Sequence, residues 1–153
     1  MSEVTRIVPF DMAHVNLMDL KEEYVDEVFR TPAGLEQLEI AAEAGDAFTL
    51  MHDGRILCVG GVSNVWTGVG QVWLIPSQYV NDYSLIFVKY VKNFLGSMMK
   101  SHGLHRMQAV ISAELPNGQK WITKLGFTKE GLMAHYSPNG IDYYLYAKLK
   151  AGE

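Results

Sequence analysis

The chain has 153 residues, a length that fits one domain with a single core. Hydrophobic residues make up 48% and charged residues 20%, close to the globular average, which excludes wholesale disorder. Net charge is −4 with no long run of Lys or Arg, a balance that argues against nonspecific nucleic-acid binding. The single cysteine, Cys58, leaves no partner for an internal disulfide and no cysteine-based zinc site, and it points to a reducing, cytoplasmic setting. Cys58 lies within an apolar run, as an inert core thiol does. The first residues, Met1-Ser2-Glu3-Val4-Thr5-Arg6, lack the basic-then-apolar pattern of a signal peptide. No apolar run approaches the roughly 18 residues that span a bilayer. The sequence shows no histidine-carboxylate metal spacing, catalytic serine motif or nucleotide-binding glycine pattern.

In chain order, Val4 to Val8 alternates apolar and polar positions and predicts a short strand that Pro9 ends, with Asp11 placed to cap a helix. Val15, Met18, Tyr24, Val25, Val28 and Phe29 recur at helical spacing, over one helix or two. Thr31-Pro32 reads as the N-cap and first-turn proline of the next helix, whose stripe is Leu35, Leu38, Ala41 and Ala42 and whose stop is Gly45. From Ala47 the period changes to two. Phe48 and Leu50 alternate with polar positions, Asp53-Gly54 offers a type I′ turn, and Arg55 to Val62 returns as a more buried strand. Asn64 to Gly70 reads as a loop, followed by a strand from Gln71 to Ile75 that Pro76 closes.

Asp82 is positioned to cap the longest helix, whose wide apolar stripe includes Phe87, Val88, Tyr90, Val91, Phe94, Leu95, Met98 and Met99. Gly103-Leu104 reads as its Schellman stop. Arg106 to Ile111 predicts a strand and Pro116 to Leu125 a shorter helix ending at Gly126. Phe127 to Tyr136 and Ile141 to Leu149 form a closing hairpin turned by Asn139-Gly140. There is no internal repeat, low-complexity stretch or linker, so residues 1–153 read as one domain. The fold class is α+β: a mixed, mostly antiparallel central sheet flanked by helices, with one parallel pair across the strand-helix-strand crossover.

Three local features carry a resemblance. They are Asp53-Gly54-Arg55-Ile56 with Val59-Gly60-Gly61-Val62, then Trp121-Ile122-Thr123-Lys124-Leu125-Gly126-Phe127, then Gly140-Ile141-Asp142-Tyr143-Tyr144-Leu145-Tyr146. With the element order they resemble the GNAT superfamily of N-acetyltransferases over nearly the whole chain. The resemblance implies acetyl-CoA or another acyl-CoA as co-substrate and an amine as acceptor, whether a small amine, an amino acid or a protein terminus. A homodimer is common for this fold. The pantetheine arm then enters where the strand matching Gln71 to Ile75 splays from the one matching Arg106 to Ile111. Backbone N–H groups at Leu74 and Ile75 face the thioester oxygen, and the loop leading into the long helix takes the pyrophosphate at a positive helix end. On this match the cofactor-binding residues are Leu74, Ile75, Val80, Asn81, Asp82, Tyr83 and Ser84.

The chain departs from that pattern twice. The family loop is Gln or Arg, two residues, Gly, one residue, then Gly or Ala. Its best match is Tyr79-Val80-Asn81-Asp82-Tyr83-Ser84, where only Ser84 is small. Glycine there lets the backbone approach phosphate closely, and Asp82 sets a carboxylate beside a diphosphate unless it turns away to cap the helix. A match shifted to begin at Gln78 puts Asn81 and Tyr83 on the glycine positions. The family's tyrosine acid, which protonates the leaving thiolate, corresponds to Ile122, and an earlier asparagine corresponds to Leu115, with Asn117 nearby. In this erosion the chain resembles GNAT-like proteins of tailed phages.

Direct transfer needs a base for the amine and an acid for the thiolate. Tyr136 could replace the missing acid and His135 could serve as base; both also fit as paired strand residues on the two faces. Glu114 could accept a proton or cap the turn it begins. His102 and His105 flank a helix stop, His14 and His52 read as surface residues, Trp66 as loop and Trp73 as core. Two functions stay open: an acyl-CoA-dependent N-acetyltransferase with an altered pyrophosphate loop, and a catalytically inactive protein of the same fold serving as a binding or regulatory module.

Overall fold

The computed structural model describes residues 4–18, 34–43 and 45–151. Their elements run β1 (Thr5–Pro9), α1 (Met12–Leu17), α2 (Gly34–Glu43), β2 (Gly45–His52), β3 (Arg55–Trp66) and β4 (Val69–Pro76). A 3-10 turn over Gln78–Asn81 then leads to α3 (Ser84–Ser101), β5 (Arg106–Ser112), α4 (Pro116–Lys124), β6 (Thr128–Met133) and β7 (Tyr143–Leu149). The strands take the order β1-β2-β3-β4-β5-β7-β6, with β4 and β5 parallel and the β1–β2, β2–β3, β5–β7 and β6–β7 pairs antiparallel. This is the α+β class expected. The helical stripe over Tyr24 to Phe29 and the Thr31-Pro32 cap lie outside the described residues. Among the described residues no helix is long and apolar enough to cross a membrane.

Two compact units share these elements: residues 1–63 with 73–91, and residues 64–72 with 92–153. In the first unit, Val15, Met18, Leu38, Ile56, Val59 and Ile75 form a buried cluster, against which Phe10, Met12, Met51 and Trp73 pack. Asp11 caps α1 as expected: its carboxylate accepts from the Ala13 N–H at 2.8 Å, and His14 Nδ1 accepts from the Asp11 N–H at 3.2 Å. Asp53 (φ 50°) and Gly54 (φ 78°) both lie in the left-handed region, which is what a type I′ hairpin turn requires. The paired glycines of β3 have a steric cause. A Cβ on Gly61 would meet the Asp46 carbonyl oxygen at 2.7 Å and Trp73 Nε1 at 2.8 Å. Cys58 is fully buried, and burial pushes its thiol far above the usual range, so it is core.

Several expectations need correction in this unit. Gly45 is not a helix stop but the first residue of β2, where the Val62 backbone comes too close to leave room for a side chain. The polar position between Phe48 and Leu50, Thr49, is itself buried, with its hydroxyl 2.7 Å from His14 Nδ1. His52 is 1% exposed rather than a surface residue, and its Nδ1 sits 2.6 Å from Thr5 Oγ1.

In the second unit, the expected loop from Asn64 to Gly70 is mostly strand. β3 continues through the β-formers Val65 and Trp66, and the reversal needs only Thr67-Gly68, with Gly68 at φ 83°. The Gly68 carbonyl then accepts from the His105 and Arg106 N–H groups at 2.9 and 3.2 Å. The α3 stop is as expected, the Leu104 N–H reaching back to the Met99 carbonyl at 2.8 Å. β7 lies between β5 and β6, paired from Arg106↔Leu149 to Ser112↔Tyr143 on one side. On the other side it pairs from Thr128↔Ala147 to Met133↔Tyr143, with a register shift between Lys129 and Gly131. Leu104, Met107, Ala109, Trp121, Ile122, Leu125 and Phe127 are buried.

Candidate functional site

The first unit carries the end of β4, the 3-10 turn and the start of α3. The parallel register of β4 with β5 runs from Val69↔Arg106 to Gln71↔Gln108, while β4 itself continues to Pro76. The Ser77 N–H donates to the Leu57 carbonyl at 2.8 Å, toward β3. Successive amides of a strand point to opposite edges, so the Ile75 N–H shares the β3 side and the Leu74 N–H faces the other edge. Of these two amides, only that of Leu74 is turned away from β3.

The turn uses its own amides. Buried Ser77 accepts from the Tyr79 N–H through Oγ at 3.2 Å and from the Val80 N–H through its carbonyl at 3.3 Å. The Asp82 N–H donates to the Tyr79 carbonyl at 3.1 Å, and the Tyr83 N–H to the Tyr79 and Val80 carbonyls, each at 3.3 Å. Val80 is fully buried and anchors the turn, while Asn81 and Asp82 are exposed and Tyr83 and Ser84 half-buried. Asp82 does not cap α3. Its backbone is helical (φ −75°, ψ −24°), closing the 3-10 turn, whereas an N-cap needs extended backbone. The amides of Ser84, Leu85 and Ile86 open α3, a turn whose N–H groups have no intrahelical acceptors.

Two side chains from the sequence-distant β2–β3 hairpin, His52 and Arg55, pack against this segment. Arg55 stacks on Tyr79, its Cζ 5.0 Å from the ring centroid, and its Nη1 donates to Tyr83 Oη at 3.5 Å. The His52 ring packs on Tyr83 with centroids 4.6 Å apart. Sequence reasoning did not find this group. The position of His52 two residues after Leu50 was a signal for burial; nothing in the local pattern links the Asp53-Gly54 turn to the start of α3.

The second unit carries the other candidates. His135 and Tyr136 are not strand residues: β6 ends at Met133, and side chains hold the connection to β7. The His135 N–H donates to Asp142 Oδ1 at 2.9 Å, and the Ile141 N–H to Ser137 Oγ at 3.0 Å. His135 itself is left-handed at φ 53°. Its Nδ1 lies 3.1 Å from the Gly140 carbonyl oxygen. A carbonyl only accepts, so Nδ1 carries the proton and, in the neutral ring, Nε2 holds the free lone pair. Tyr136 is 51% exposed and its ring packs on Tyr143 at 5.3 Å. Glu114 is exposed beyond β5, its N–H donating to Ser112 Oγ at 3.2 Å. Ile122 and Leu115 are both buried core.

No protein-family model matches the sequence, and no curated protein matches it. Solved structures do. A spermidine N-acetyltransferase chimera from Vibrio cholerae and hSSAT aligns with a TM-score of 0.73 at 12% identity, covering 95% of each chain. The ribosomal-protein-S5-alanine acetyltransferase of Vibrio fischeri aligns at 0.64 and 21% identity, over 95% of this chain and 92% of that one. An acetyltransferase of the GNAT family from Bacillus anthracis aligns at 0.72 and 17% identity, over 95% and 94%. Identities this low establish architecture, and on that ground the chain is built on the fold of the GNAT acetyltransferases.

Proposed function

We propose that this chain transfers an acetyl group from acetyl-CoA to an amine. One observation carries the reading: the seven-strand order, with the parallel pair β4–β5 and the β4 end leading through the 3-10 turn into α3, belongs to a fold shared with N-acetyltransferases. The Leu74 N–H polarises the thioester carbonyl, and the first-turn amides of α3 with Ser84 take the pyrophosphate. Asn81 and Tyr83 flank that anion, and Val80 and Ile75 hold the segment in place. Within the second unit, His135 Nε2 is the candidate acceptor for the amine's proton, with Glu114 as the second candidate. In the same unit the exposed Tyr136 hydroxyl is the candidate acid for a thiolate, a role buried Ile122 cannot fill. The relatives named above act on spermidine and on a protein alanine, so small amines and protein termini are the acceptor classes to test. A homodimer in a cytoplasmic setting belongs to the same reading.

A second reading is a protein of this fold that binds a partner without chemistry. The inward-turned amides of Tyr79, Val80, Asp82 and Tyr83 favour it, since they leave the turn few donors for phosphate.

Thermal unfolding with acetyl-CoA, CoA and desulfo-CoA separates the two. Ligand at about 100 times its dissociation constant stabilises the fold by about 2.7 kcal/mol, a resolvable rise in melting temperature. A rise with CoA species, followed by thiol release in the presence of an amine, supports transfer. A flat response to all three overturns it in favour of the binding module.

A further inference from the structure

A diphosphate at the start of α3 would meet a segment short of donors. The turn's amides at Tyr79, Val80, Asp82 and Tyr83 are engaged internally, and Asp82 adds a negative charge. The glycines that let a backbone wrap a phosphate are absent. Positive charge must then come from a side chain, and the hairpin of β2 and β3 supplies one at this spot.

We propose that Arg55, braced between Tyr79 and Tyr83, is the phosphate-binding cation of this chain, and that its ligand is the diphosphate ester of an acyl-CoA. The inference rests on the acyl-CoA reading above. Three features make the group a site rather than a stray surface arginine. First, position is fixed by the backbone. Arg55 opens β3 opposite His52, directly after a two-residue turn that has little freedom to shift. Second, the guanidinium lies over the Tyr79 ring and bonds Tyr83 through Nη1, which leaves its Nε–Nη2 edge for a bidentate contact. Both contacts are to tyrosines rather than to a carboxylate, so neither pairs the cation with an acid. Third, Tyr83 Oη accepts from Arg55, which leaves the phenol's own O–H to donate to a phosphate oxygen. The packed His52 ring keeps that phenol in place. Tyr83 is also the residue that immediately precedes α3, and its carbonyl accepts from the Phe87 N–H at 2.9 Å, so the pair abuts the helix start.

The test is calorimetric binding of CoA and of inorganic pyrophosphate to the full chain, wild type against Arg55→Gln, Arg55→Lys and Tyr83→Phe. Melting temperatures of the unliganded variants confirm folding. Arg55→Gln should weaken CoA by about tenfold or more, with Arg55→Lys intermediate because a point charge cannot make the planar fork. The wild type should also show a steeper loss of affinity with added salt than Arg55→Gln. Equal affinity of wild type and Arg55→Gln for CoA overturns the inference while leaving the acyl-CoA reading intact. If wild type binds no CoA, that reading falls, and pyrophosphate decides the site alone. Pyrophosphate binding that Arg55→Gln abolishes keeps an anion site, and none at all overturns it.

Discussion

Arg106 on β5 and Glu130 on β6 are joined by two hydrogen bonds, at 3.0 and 2.6 Å, although β7 lies between their strands. The pair thus spans three strands of the second unit, and Arg106 Nε also donates to Gln108, whose amide reaches Gln71 on β4. The hydrogen bonds from Arg106, aided by its charge, hold the Glu130 carboxyl below the usual carboxylate range.

Because the folded-state value of Glu130 is depressed, its contribution is present above the unfolded carboxylate value and lost as pH falls through the folded one. Glu130→Gln should cost about 0.5 kcal/mol near neutral pH, the scale of a solvent-screened pair. Urea unfolding of both proteins should show the gap persisting at about pH 5 and closing only below the ordinary carboxylate value of about 4.3. A gap that stays constant down to acid denaturation would show that the pair contributes through packing instead.

Two glycine substitutions should move stability in opposite directions. Gly61→Ala forces a Cβ onto the Asp46 carbonyl and the Trp73 ring, and should cost about 1–3 kcal/mol. Gly96, exposed within α3, has nothing within 4 Å of a built Cβ, so Gly96→Ala should gain about 0.5–1 kcal/mol. Denaturation midpoints read both, and a neutral Gly61→Ala would mean the strands can part.

Cys58 should resist a maleimide in native buffer and react promptly in denaturant, because burial disfavours its thiolate. Labelling that tracks global unfolding confirms this. Fast native labelling would show that the centre of β3 opens locally.

Left-handed backbone at His135 tolerates asparagine far better than a β-branched residue. His135→Asn should stay within about 0.5 kcal/mol of wild type, whereas His135→Val should lose about 1–2 kcal/mol. If Nε2 is the base, His135→Asn also lowers kcat for acetyl transfer by about a hundredfold or more. Unchanged turnover would move the proton to Glu114 or to water.

What could be read from the sequence was whatever depends on neighbours along the chain. The Asp11 cap, the Asp53-Gly54 turn and the Leu104 stop each follow from a few consecutive residues, and each stands in the structure. Burial set by distant strands was not legible. His52 and Thr49 look polar and solvent-facing until Thr5 and His14 are brought to them. The same holds for Asp82, whose capping role is pre-empted by a turn that Ser77 starts five residues earlier. His135 and Tyr136 read as a continuing strand because the partner that takes the His135 N–H out of the ladder, Asp142, lies across the hairpin.

The register shift in β6 has a consequence for how copies of this chain behave at high concentration. β6 is the last strand in the sheet order, and an open edge is a template for another chain to extend the ladder. Here the edge is interrupted at its centre, where the residues are Lys129, Glu130 and Gly131, and charge and bulge together spoil a regular repeat of amides. End-to-end polymerisation through this edge is disfavoured by that backbone irregularity, in which Glu130 turns its carboxylate to Arg106 instead of to a neighbouring chain.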